Sequence, residues 1–230
     1  MTARERVIVA LDVPDRRGLE VFLDRLEGRP VFYKVGLELF VAEGARAIEL
    51  VRARGGRVFL DLKLHDISET VARAVNTAAG LGVELLTLHA AGGGEMLRRA
   101  VEAAAGRLKL LAVTVLTSLT ADDLAADGIA GTVAEAVLRR AQVAAAAGVA
   151  GLVCSPHEVS DARRAGKDLL LVVPGVRPSG AALGDQKRVA TPAATVQAGA
   201  DFLVVGRPIR DAASPAEAFN AIVREIEAVG

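Results

Sequence analysis

The sequence predicts a closed (β/α)8 TIM barrel, and three observations lead to it. Eight short apolar runs recur along the 230 residues, at roughly the interval that eight βα units in a chain of this size require. Stretches with helical periodicity separate the runs. Polar or charged residues stand at the C-terminal ends of the runs, where a barrel gathers its chemistry on one rim. An open doubly wound sheet is the competing architecture. However, VIVALD is not followed by a GxGxxG turn, and an eight-fold count suits closure better.

The first run, VIVAL (7–11), ends at Asp12. VFYKVG (31–36) carries Lys34 within it and leads to VAEGARAIELVRARG (41–55), whose apolar residues fall at helical spacing. RVFLDL (57–62) passes into the charged string DLKLHDISET (61–70) and the helical stretch ETVARAVNTAAGLG (69–82). LLTLH (85–89) ends on His89, and LKLLAVTVL (108–116) is followed by Thr117 and Ser118. The interval to the next run is too long for one unit, so residues 117–131 should hold an extra short helix or loop ahead of the helix VAEAVLRRAQVAAAAG (133–148). GLVC (151–154) precedes Ser155, LLLVV (169–173) precedes the Gly-rich segment PGVRPSGAALGDQKR (174–188), and FLVVG (202–206) precedes Arg207. Several helical stretches end on Gly, which suits a left-handed C-cap. Ser214 followed by Pro215 marks the start of the last helix, as N-cap and first helical residue. No low-complexity linker divides the chain, so residues 1–230 are expected to form a single domain.

Composition narrows the function. The 28 basic and 28 acidic residues cancel, which removes the electrostatic footprint of a general nucleic-acid binder but leaves room for a local anion site. Aromatics are only 3% against 52% hydrophobic, so Ala, Val, Leu and Ile must build the core, as in buried parallel strands. Cys154 is the lone cysteine and reads as a buried strand residue. His65, His89 and His157 are scattered without metal-ligand spacing. The opening TARER is charged, and VIVAL is too short and too early for a membrane span. A cytoplasmic protein without a membrane partner is expected.

The string DLKLHDISET is the strongest chemical signal. In an extended segment Asp61 and Lys63 share a face, because side chains alternate with period two. A lysine held between carboxylates stays protonated, because opposite charges favour the ammonium over the amine, which makes Lys63 a poor nucleophile and a plausible proton donor. A substrate carboxylate held against Asp61 would be driven off as carbon dioxide by like-charge repulsion, with Lys63 stabilising and protonating the carbanion left behind. A solvated salt-bridge turn is the plain alternative. Asp12 could instead cap the next turn, Lys34 could serve only as a structural ion pair, and His89 reads as a hydrogen-bonded rim residue. At the far end, Gly206 and Arg207 follow the last run, where barrels commonly bind phosphate. The 174–188 segment has the makeup of a mobile lid, in which Gln186 could reach a phosphoryl oxygen and Arg177 or Arg188 could add charge.

Asp12, Lys34, DLKLHDISET, VTVLTS (113–118), PGVRPSG and DQKR within 174–188, and VVGRPI (204–209) together resemble the bacterial-type orotidine 5′-monophosphate decarboxylase family, in order and spacing over essentially the whole chain. The family signature DxKxxDIxxT is met by Asp61, Lys63, Asp66, Ile67 and Thr70. The resemblance implies conversion of orotidine 5′-monophosphate to uridine 5′-monophosphate, the last step of de novo pyrimidine synthesis, without metal or organic cofactor. It implies that Lys63 protonates C6 beside Asp61, and that Asp12 and Lys34 hold the ribose hydroxyls. It further implies a homodimer in which Asp66 and Thr70 reach into the partner's site, with Ile67 packing near the base. Thr117 or Ser118 would contact the pyrimidine edge, and Pro174 and Val176 would line the pocket. Gln186, Gly206 and Arg207 would grip the phosphate, joined by Arg177. Two other readings stay open: a Mg2+-dependent sugar-phosphate decarboxylase or aldolase, whose acid on the second strand is replaced here by Lys34, and a barrel that binds a nucleotide or a partner without catalysis.

Overall fold

A computed structural model of the chain describes residues 1–178 and 190–230. The eight apolar runs become eight strands: β1 (Val7–Ala10), β2 (Phe32–Gly36), β3 (Arg57–Leu64), β4 (Leu85–His89), β5 (Lys109–Val113), β6 (Gly151–Val153), β7 (Leu170–Val173) and β8 (Phe202–Val205). Each pairs in parallel with the next, and β8 pairs back onto β1. The sheet is therefore a closed barrel, and the open doubly wound alternative does not apply.

Alternation along the strands divides the apolar residues into two cores. Ile8, Phe32, Phe59, Leu85, Leu111, Val172 and Phe202 fill the barrel interior, with Phe32 and Phe202 meeting edge to face at 5.7 Å. That is a favourable aromatic geometry. Their neighbours one residue along, such as Val7, Val9, Val35, Val58 and Leu86, pack outward against the helices. Burial of each large aliphatic side chain contributes about 1.5–3 kcal/mol, so both faces of every strand must be covered, which explains the near-continuous apolar runs. At the N-terminal end of the barrel Arg57 lies over the Phe32 ring at 4.3 Å and makes a two-pronged pair with Glu84 at 2.8 and 2.7 Å. This closes the barrel floor and leaves the C-terminal mouth for chemistry.

Three local features refine the sequence reading. The 41–55 stretch is two helices, Leu37–Glu43 and Ala45–Ala53, broken at Gly44. Gly44 has φ +58° and ψ −138°, a conformation open mainly to glycine. The fifth strand stops at Val113, and the long interval after it contains the short helix Ala121–Ala126, started by a reciprocal cap between Thr120 and Asp123. Leu124 of that helix packs on Val115, Ala136 and Val137 as a satellite core. The last helix, Pro215–Glu227, begins at Ser214, whose side chain accepts a hydrogen bond from the Glu217 N–H.

Candidate active site

The site is the next layer of the barrel interior. Ala10, Phe32, Phe59, Leu85, Val172 and Val204 belong to the apolar interior, and two residues further along each strand stand Asp12, Lys34, Asp61, Thr87, Pro174 and Gly206. Period-two alternation therefore carries a polar or small group onto the top of the apolar plug from six of the eight strands. Strand register sets their neighbours, since Ala10 lies opposite Lys34 and Gly36 opposite Asp61.

Lys34, 9% exposed, joins two carboxylates. Its Nζ lies 3.0 Å from Asp12 Oδ1 and 3.6 Å from Asp61 Oδ2. Lys63 Nζ donates to Asp61 Oδ1 at 2.8 Å, and the Thr87 hydroxyl donates to the same oxygen at 2.9 Å. Burial pushes the Asp61 carboxyl up, but the Lys34 and Lys63 ammoniums, with hydrogen bonds from Lys63 and Thr87, outweigh it and hold the group below the ordinary carboxylate range. Asp61 is thus a fixed anion with an ammonium donor beside it. Two glycines keep the layer open. A Cβ on Gly36 would meet Lys34 Nζ at 2.7 Å, and one on Gly206 would stand 3.3 Å from Asp12 Oδ2.

Three readings of this cluster change. Within the chain, Lys34 rather than Lys63 is the lysine flanked by two carboxylates, and among the described residues Asp61 alone pairs with Lys63. Asp61 and Lys63 do meet, yet not through regular alternation. Lys63 has φ +52°, and the β3–β4 register slips between Leu60 and Leu64, so a bulge turns the lysine back toward Asp61. Asp12 does not serve as a cap, because Asp15 caps the helix Arg16–Arg25 through the Gly18 N–H.

Beside this layer lies a cavity of about 430 Å3 lined by Asp12, Lys34, Pro174, Arg177, Gly206 and Arg207, among others. Arg210 also lines it, donating from Nη1 to the Asp12 carbonyl at 3.0 Å and pairing with Asp211. Three guanidiniums lining one cavity suit an anionic group such as a phosphate. Sequence reasoning did not single out Arg210. It stands three residues after Arg207 in the short helix Arg207–Arg210, a spacing that puts both on one side of a turn. Thr87 was missed as well, although its place two residues after Leu85 is visible in LLTLH.

The remaining expected residues lie elsewhere or apart. Val176 is buried beside the cavity wall in a bridge with Ala190. Thr117 and Ser118 sit in the loop after β5 and are not among the residues that line the cavity. Asp66, Ile67 and Thr70 are exposed on the outside of the β3 loop and the helix Ser68–Ala79, with Ile67 at 72% exposure and its N–H bonded to Asp66 Oδ1 at 2.6 Å. Gln186 and Arg188 lie outside the described residues. His89 is half-buried on the rim, its ring 5.5 Å from that of His65. Burial, then His65 and Lys63, hold the His89 imidazole below its ordinary value. Ser155 is buried under a short turn, its N–H bonded to Glu158 at 2.9 Å. Cys154 is buried just past β6. Among the described residues no group of three or more His, Cys, Asp or Glu is placed to hold a metal ion, and no helix is long and apolar enough to cross a membrane.

Comparison with known proteins agrees with this geometry. The model of the orotidine 5′-phosphate decarboxylase / HUMPS family matches residues 5–222. The orotidine 5′-phosphate decarboxylase of Anaeromyxobacter sp. (strain K) is 55% identical over 223 residues, covering 96% of this chain and 98% of that protein. The protein of the same name from Halorhodospira halophila is 53% identical, covering 98% of this chain and 97% of its own. The crystal structure of orotidine 5′-phosphate decarboxylase from Lactobacillus acidophilus superposes with a TM-score of 0.85 at 37% identity, over 96% of this chain and 99% of that one. On sequence and on structure alike, the chain belongs to the orotidine 5′-phosphate decarboxylase / HUMPS family.

Proposed function

We propose that the chain decarboxylates orotidine 5′-monophosphate to uridine 5′-monophosphate and carbon dioxide, the last step of de novo pyrimidine synthesis. Residues 1–230 act as one barrel domain, in a cytoplasmic homodimer and without a metal or organic cofactor. The observation that carries this reading is the charged chain Asp12–Lys34–Asp61–Lys63 at the barrel mouth, with contacts of 3.0, 3.6 and 2.8 Å. The names and full-length similarity of the relatives point the same way. So does Lys34 on β2, where the Mg2+-dependent sugar-phosphate enzymes would need an acid.

The substrate carboxylate on C6 faces Asp61, an anion that cannot relax away because two hydrogen bonds and the Lys34 ammonium hold it. The bond from C6 to the carboxylate carbon breaks, its electron pair stays on C6, and carbon dioxide departs. Lys63 Nζ stabilises that pair and gives it a proton. The neutral amine then recovers a proton from solvent. Asp12 and Lys34 hold the ribose hydroxyls, and Pro174 and Val176 line the pocket around the base, with Thr117 or Ser118 at its edge. Arg207, with Gly206, Arg177 and Gln186, takes the phosphate. Binding energy from phosphate and ribose, remote from C6, holds the carboxylate against Asp61 and so raises kcat as well as affinity. Asp66 and Thr70 complete the partner's site, with Ile67 packing near the base. Their exposure in the β3 loop and at the start of the helix that follows supports that arrangement.

The test is the ultraviolet absorbance of orotidine 5′-monophosphate mixed with the purified protein in excess EDTA. Rapid loss of the orotate chromophore is expected. A persistent chromophore with folded, dimeric protein overturns the assignment and favours the Mg2+-dependent or the non-catalytic reading.

A further inference from the structure

We propose that Thr87 is a positioning residue for the decarboxylation: its hydroxyl ties the Asp61 carboxylate to the Lys63 backbone across the bulge in β3, and so sets where the Lys63 ammonium stands. Its role rests on the decarboxylase reading of the Asp61–Lys63 pair. Thr87 is fully buried in the middle of β4, where a hydroxyl must find partners. It finds two. Oγ1 donates to Asp61 Oδ1 at 2.9 Å and accepts the Lys63 N–H at 2.9 Å.

The second bond matters because the ladder is interrupted there. Leu60 pairs with Leu86 and Leu64 with Leu88, so β3 advances four residues while β4 advances two. A regular parallel partner would offer Lys63 a backbone carbonyl. The bulge removes it, and the Thr87 side chain takes its place. Lys63 is meanwhile held at φ +52°, a region that residues with a side chain rarely enter without local support. That turn brings Lys63 Nζ back to Asp61 Oδ1 at 2.8 Å. Asp61, Lys63 and Thr87 thus form a closed ring of hydrogen bonds. The hydroxyl fixes both its carboxylate corner and its backbone corner, and Thr87 is not among the residues that line the cavity beside Asp12 and Lys34.

The experiment compares Thr87→Val, Thr87→Ser and wild type in steady-state decarboxylation of orotidine 5′-monophosphate, with titration of uridine 5′-monophosphate and thermal melting alongside. Val preserves the shape of Thr and removes the hydroxyl. Its kcat should fall about 10- to 100-fold, the scale of an ångström-level misplacement of a catalytic group. KM and product affinity should stay within about threefold, since the remote binding groups are intact. The acid limb of the pH profile should move to higher pH as Asp61 loses a donor. Ser restores the hydroxyl and should restore kcat to within about threefold of wild type. If the Val variant does not fold, Thr87→Ala serves as the hydroxyl-free variant on the same criteria. A hydroxyl-free variant with wild-type kcat overturns the role of Thr87, as does a Ser variant as slow as Val. A wild-type protein without decarboxylase activity removes the proposed function and this role together, whereas normal wild-type turnover matched by the Val variant removes only the role of Thr87.

Discussion

Replacing Asp61 by Asn keeps the side-chain shape and an oxygen for Thr87 and Lys63 but removes the charge that the substrate carboxylate is proposed to face. The Asp61 side chain is 12% exposed, so solvent screens it weakly. Two carboxylates about 4 Å apart at an effective dielectric near 20 repel by roughly 4 kcal/mol. Lys34 and Lys63, at 3.6 and 2.8 Å from Asp61, offset part of that in the ground state. They are also the groups that Asp61 orients. Release of about 3–4 kcal/mol as carbon dioxide leaves corresponds to a kcat lower by about 10²- to 10³-fold in the Asn variant. The same change should leave KM unchanged or lower it, because a repulsive ground-state contact is gone. The assay is the spectrophotometric kcat and KM of both proteins, with product titration to verify the remote site. A kcat within about threefold of wild type, or a raised KM at unchanged kcat, refutes the electrostatic role of Asp61. Stability supplies an independent check. Because the folded state holds Asp61 below its ordinary value of 3.8, its contribution is complete above that pH and is lost as pH falls through the lower folded value. The Asn variant should lack this acid-side loss.

Arg207→Ala should lower kcat/KM for orotidine 5′-monophosphate by about 10- to 100-fold, the value of a charge-assisted contact, while the slow reaction of the phosphate-free nucleoside changes little; equal losses on both substrates exclude a phosphate role. Lys63→Ala and Asp66→Asn should each be nearly inactive alone, yet mixing and reassociating them should restore about a quarter of wild-type activity, because shared sites in random two-fold dimers leave one intact site in half of the dimers. No recovery on mixing counts against sites shared across the interface. His89 should make the fold less stable as pH falls below its ordinary 6.5, since the unfolded chain takes up the proton first. In His89→Asn, melting temperature against pH should be flatter between pH 7 and 5.

What could be read from the sequence was what local pattern encodes. Runs such as VIVAL and LLTLH are apolar at successive positions because parallel strands are covered on both faces, and GLVC or FLVVG announce their ends by the small or polar residue that follows. The rim residues Asp12, Lys34, Asp61 and Arg207 stood out for the same reason: a charge placed next to a buried strand is costly unless it has work or a partner. The helix break at Gly44 was less visible, since apolar spacing continues across it. Arg210 was hidden by its ordinary setting in a charged turn. Thr87 was hidden because threonine is at home in any strand.

The barrel, the polar ends of its strands and the residue types at its mouth were written in the chain, because period and composition are properties of neighbours along it. Which of those residues touch depends on how distant segments pack. Lys34 stands between Asp12 and Asp61 because the pairing of β2 with β1 and β3 sets Ala10 opposite Lys34 and Gly36 opposite Asp61. Lys63 reaches Asp61 through a left-handed turn in a bulge that a threonine from the next strand, 24 residues on, holds in place. Strand register and bulges arise from pairing between distant segments, and no window along one strand contains them.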